Sequence, residues 1–114
     1  MTTFDRDSFI SACRAANEAA RKAIRDMRDG GTCCFDHPVV WPPDGTHRSV
    51  IIGALTEAGL LVRPTFGKLQ KDGISVSGCP GSRAQGWPRT TGAEAWASTM
   101  TAAGYRTSVF YMMD

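Results

Sequence analysis

The sequence predicts an α+β fold: one domain over residues 1–114, with three helices packed on a four-stranded mixed sheet in the order α-β-α-β-β-α-β. Three observations carry that expectation. Residues 4–29 place apolar side chains at three- and four-residue spacing, the period of a long amphipathic helix. A unit of helix, glycine and strand occurs twice, because residues 55–60 (LTEAGL) align with residues 100–105 (MTAAGY). Short β-branched and aromatic runs at 39–41, 74–77 and 105–112 are set off by glycine and proline. A chain of 114 residues that is 42% apolar and 21% charged has material for one core.

Taken in order, the first helix buries Phe9, Ile10, Cys13, Ala16, Ala20, Ile24 and Met27. Asp5 and Asp7 lie at its positive end, where the helix dipole favours them. Arg14, Glu18, Arg21, Lys22, Arg25 and Arg28 form the opposite, solvated face, with Glu18–Lys22 as a four-apart pair. Gly30 and Gly31 end the helix. Residues 32–41 hold a strand at Val39, Val40 and Trp41, with Pro38 confined to a strand start or an edge because it cannot donate to a ladder. Residues 42–45, PPDG, are a loop.

The second helix takes Ser49 as its N-cap and buries Ile51, Leu55 and Ala58. Gly59 stops it in the left-handed conformation, and a strand runs to about Arg63. Asp72-Gly73 is a turn, and residues 74–77 alternate as a half-buried strand, so 60–77 reads as a hairpin. Residues 78–91 are a long loop of the kind that often carries function. Thr91 then caps a third helix, with Glu94 closing a capping box and Ala93, Trp96, Ala97 and Met100 on its apolar face. Gly104 stops that helix, and residues 105–112, apolar on both faces, read as an interior strand. Right-handed crossovers would join any parallel neighbours.

Most chemistries fit poorly. Cys33, Cys34, His37, His47 and Cys79 could ligate zinc, but there is no C-x-x-C pair and adjacent strand cysteines face opposite ways. Cys79 and Arg83 are separated by three residues, whereas a cysteine-phosphatase loop needs five, and no Gly-Lys-Ser/Thr makes a P-loop. Cys34, His47 and Asp36 or Asp44 can be drawn as a nucleophile set, but no motif brings them together, so the expectation is a protein without enzymatic activity, cofactor or metal. A net charge of +2 is too weak for a dedicated nucleic-acid binder. There is no apolar leader at the N-terminus and no membrane-length apolar run, so a cytoplasmic protein with reduced thiols is expected.

What stands out is a set of binding-type residues. Trp41, Arg48, Arg83, Trp87 and Arg89 lie in or beside the two long loops, and Trp and Arg are the usual anchors of protein interfaces. Set against this, any one tryptophan can fold down as a lid over the core. A winged-helix regulator is the first alternative, with residues 47–49 meeting DNA, although a strand and Pro42-Pro43 stand where its first short helix belongs. A small metal-supported domain is the second.

Residues 15–23, 33–41, 55–61 and 93–105 together resemble a group of small proteins encoded by tailed phages and prophages. The shared pieces are an Ala-rich charged first helix, a Cys-containing strand, a helix ending in Gly, and a second Ala-rich helix leading to a final strand. The resemblance covers most of the chain. It implies an accessory protein that binds a host protein in the bacterial cytoplasm. Inhibitors of host defence complexes, anti-CRISPR proteins among them, are one class of that kind.

Overall fold

The structure is a computed structural model and describes residues 4–27, 36–63, 72–80 and 87–111. Its elements are α1 (Arg6–Ile24), β1 (His37–Val40), α2 (Arg48–Glu57), β2 (Leu61–Arg63), β3 (Ile74–Ser77), α3 (Trp87–Ala102) and β4 (Thr107–Phe110). The α-β-α-β-β-α-β order and the α+β class are those the sequence predicts. The sheet is not mixed. Its strand order is β2-β3-β1-β4 and all three pairings are antiparallel. Each helical crossover does join two strands of the same direction, β1 to β2 and β3 to β4. In both cases another strand lies between them, so no parallel pair touches.

The two glycine units close in the same way. Gly59 and Gly104 have φ of +85° and +98°, the left-handed region. The Gly59 N–H donates to Thr56 O at 3.0 Å and the Leu60 N–H to Leu55 O at 3.0 Å. The Gly104 N–H donates to Thr101 O at 3.0 Å and the Tyr105 N–H to Met100 O at 3.1 Å. Both ends are therefore Schellman caps, which satisfy carbonyls the helix leaves open and turn the chain into the sheet. Leu55, Leu60 and Met100 are buried in one core, with Tyr105 packed against it.

α1 buries Phe9, Ile10, Cys13, Ala16 and Ala20 as its spacing requires. It begins at Arg6, capped by Asp5, whose carboxylate accepts the Ser8 N–H at 3.1 Å, and it ends at Ile24, short of Met27. The proposed glycine stop at residues 30 and 31 lies outside the described residues. Glu18 pairs with Arg21 one turn on rather than with Lys22, an exposed contact of little weight. α1 packs chiefly on α3, and α2 packs on α1 and β2. Asn17 ties the three helices together: its amide donates to Ala58 O at 3.3 Å and its carbonyl accepts the Trp96 indole N–H at 2.9 Å.

Several boundaries differ from the sequence reading. α2 is capped by His47, whose Nδ1 accepts the Ser49 N–H at 3.1 Å, so Ser49 is already inside the helix. α3 starts at Trp87, one turn before the expected Thr91 cap, because a proline at the second position has no N–H that the helix needs. Thr91 and Glu94 are thus mid-helix and form no capping box. β4 is an edge strand rather than the expected interior one, and β1 and β3 are the interior strands.

β1 is buried on both faces, and Ser75 in β3 is fully buried, so β3 is not half-exposed. Pro38 occupies the second position of an interior strand. The Trp41 N–H bonds Arg106 O, so strand alternation turns the Pro38 nitrogen toward β3, beyond the Val39–Ser75 pair where that pairing begins. The β2–β3 hairpin forms as predicted; residues 64–71 of its connection lie outside the described residues.

Candidate functional site

β1 carries the predicted binding residues to its two ends. From Asp36 to Trp41 the strand covers about 17 Å. Trp41 and Arg48 lie at one end; Trp87 and Arg89 lie at the other. Arg83 lies outside the described residues.

At the far end, Trp87 opens α3 and is 66% exposed. Arg89 does not serve as an open anchor. Its Nε donates to Asp36 O at 2.9 Å, while Thr90 Oγ1 donates to the buried Asp36 carboxylate at 2.6 Å. These bonds fasten the first turn of α3 to the start of β1. Tyr111 reaches the same helix from β4, donating its hydroxyl to Glu94 at 3.0 Å.

At the near end, Trp41, Pro42, Pro43, Asp44, Gly45, Arg48, Asp72 and Arg106 line an open cleft of about 400 Å³. Its floor follows from register. Val40 pairs with Thr107, so the next positions, Trp41 and Arg106, face each other across β1 and β4 on one side of the sheet. The Arg106 guanidinium carbon lies over the Trp41 ring, 4.6 Å from its centroid. Beneath the indole sits Gly73. A Cβ there would come within 2.6 Å of Val39 Cγ1 and 3.1 Å of the Trp41 ring, so only glycine allows this packing. The Gly73 carbonyl in turn accepts Arg48 Nη1 at 3.2 Å. Arg48 comes from the first turn of α2, which His47 caps just after the PPDG loop. Three elements thus deliver one aromatic plane and two held guanidiniums to one opening. Among the described residues, neither Arg48 nor Arg106 makes an ion pair.

Arg106 is the residue that sequence reading missed. Nothing in its local sequence marks it as a site residue; its role appears only when the β1–β4 register sets it opposite Trp41. Trp41 itself is half-buried, a cleft wall rather than a protruding anchor.

The other reactive side chains are placed away from this opening. Cys13 and Cys79 are buried free thiols, and burial pushes them up to about 12 and about 11. His37 is buried in β1, its ring 5.3 Å from that of Phe110. Cys33 and Cys34 lie outside the described residues. Among the described residues no three His, Cys, Asp or Glu side chains are grouped to hold a metal ion, and no helix is long and apolar enough to cross a membrane. No protein-family model, no curated protein and no solved structure matches this chain.

Proposed function

We propose that the protein is a non-enzymatic binding module that engages a partner protein through the Trp41–Arg48–Arg106 cleft. The supporting observation is the convergence of one tryptophan and two guanidiniums, each held by a backbone or ring contact, in an opening of about 400 Å³. Side chains held before binding lose little rotamer freedom on contact, which is where interface anchors gain their affinity. The resemblance to small phage-encoded proteins sets the choice of partner: a bacterial host protein, with components of defence complexes as the first to try. Trp87, exposed at the other end of β1, belongs to a separate surface and is not needed for this contact.

The test is affinity purification from bacterial cells with the wild-type chain, a Trp41→Ala, Arg106→Ala double variant, and Trp87→Ala. A partner retained by the wild type and by Trp87→Ala, and lost by the double variant while its circular dichroism spectrum and cooperative unfolding remain those of a folded chain, supports the cleft. Retention by the double variant with loss by Trp87→Ala moves the surface to the start of α3 and overturns the reading.

A further inference from the structure

We propose that the cleft is a carboxylate-reading site that takes an acidic side chain of an extended peptide segment. This rests on the reading of the cleft as the partner-binding surface and specifies what that partner must offer.

The inference starts from how the two arginines are held. A guanidinium stacked on an indole uses its face for that contact and keeps its in-plane N–H groups for a planar acceptor. The Arg106 guanidinium carbon lies over the Trp41 ring, 4.6 Å from its centroid, and among the described residues its N–H groups are not spent on a protein acceptor. Arg48 spends one Nη on Gly73 O and retains its other donors. The donors left open on the two guanidiniums suit a carboxylate, which two parallel N–H groups can grip at once.

Asp44 and Asp72 line the same opening and decide between anions. Among the described lining residues the two carboxylates match the two guanidiniums in number. A nucleic-acid backbone, with a phosphate at every step, would bring repeated negative charge past both aspartates. A single carboxylate on a peptide avoids this, and the peptide's own N–H groups can donate to Asp44 and Asp72. Pro42, Pro43 and the exposed edge of Trp41 supply apolar wall for the stem of the acidic side chain.

The experiment follows backbone, Trp indole and Arg Nε–H signals of the isotope-labelled full chain by NMR. The probes are acetyl-AEAEA-amide, its counterpart acetyl-AQAQA-amide, and inorganic phosphate. The expected result is saturable movement of the Trp41 and Arg106 signals with the glutamate peptide, about tenfold weaker with the glutamine peptide and with Arg106→Gln. Added salt should weaken the glutamate peptide only. Equal response to both peptides would overturn the carboxylate assignment while leaving a peptide-binding cleft in place. Response to phosphate and to neither peptide would overturn it in favour of a phosphate site. Movement with none of the three would remove the carboxylate assignment and count against the cleft as a peptide surface.

Discussion

Arg106 lies over the ring of Trp41, its guanidinium carbon 4.6 Å from the ring centroid, while the Trp41 N–H donates to the Arg106 carbonyl at 3.0 Å. One residue pair therefore both extends the β1–β4 ladder and builds the cleft wall. The backbone bond does not depend on the side chains; the ring contact does. Replacing Arg106 with Ala should thus cost only about 0.5–1 kcal/mol of stability, the worth of an exposed cation–π contact. A double-mutant cycle with Trp41→Ala, read by urea denaturation, measures the coupling. Coupling near zero would mean that the arginine is not held by the ring.

Asn17 occupies the junction of α1, α2 and α3, and each of its amide atoms has a partner. Asn17→Ala leaves the buried Trp96 indole N–H without an acceptor, and a buried donor so orphaned costs about 1–3 kcal/mol. Trp96→Phe removes the donor as well. The double variant should be less destabilised than the two single variants summed, which chemical denaturation of all three proteins would show.

Gly59 and Gly104 test the twin caps. Among the described residues, no atom outside their immediate chain neighbours lies within 4 Å of where a Cβ would stand, so substitution meets no clash there. The penalty is then that of forcing a non-glycine residue into the left-handed region, about 1–2 kcal/mol at each site. Gly59→Ala and Gly104→Ala should lower stability by similar amounts. Gly73→Ala differs in kind, because its Cβ meets Val39 Cγ1 and the Trp41 ring, and overpacking of that sort costs about 1–3 kcal/mol. It should also disturb the Trp41 indole signal, whereas the two cap variants should leave it in place.

The thiols predict a pH dependence. Burial holds Cys13 and Cys79 protonated, pushing them up to about 12 and about 11 from an ordinary 9.0. Unfolding releases protons from both above pH 9, so their contribution to stability is complete below that value. It is lost as pH rises toward 11 and 12. Melting temperatures recorded from pH 7 to 11 should fall at the alkaline end, and less steeply in Cys13→Ala. At pH 8 iodoacetamide should modify either thiol only as fast as the chain opens.

How much of this could be read from residues alone divides along one line. Features fixed by a few neighbouring residues were legible: the stripe from Phe9 to Ala20, the left-handed stops at Gly59 and Gly104, and the order of the elements. Features that need a distant partner were not. Thr91 looked like a helix cap because nothing nearby shows that Arg89 and Thr90 bind Asp36, more than 50 residues away in the chain. The antiparallel sheet depends on which strand slips between the ends of each crossover, and strand composition does not encode that choice. The same holds for the cleft. Trp41 and Arg48 are conspicuous beside a proline-rich loop, yet Arg106 acquires meaning only through its place opposite Trp41.

Site-specific photocrosslinking in bacterial cells tests the central claim most directly. A benzoylphenylalanine at position 44, on the rim of the cleft, is compared with one at position 22, on the exposed face of α1. The account predicts a discrete adduct to a single protein from position 44, none from position 22, and loss of the adduct when Arg106→Glu is added. An adduct from position 22 alone, or one from position 44 that survives Arg106→Glu undiminished, would contradict it.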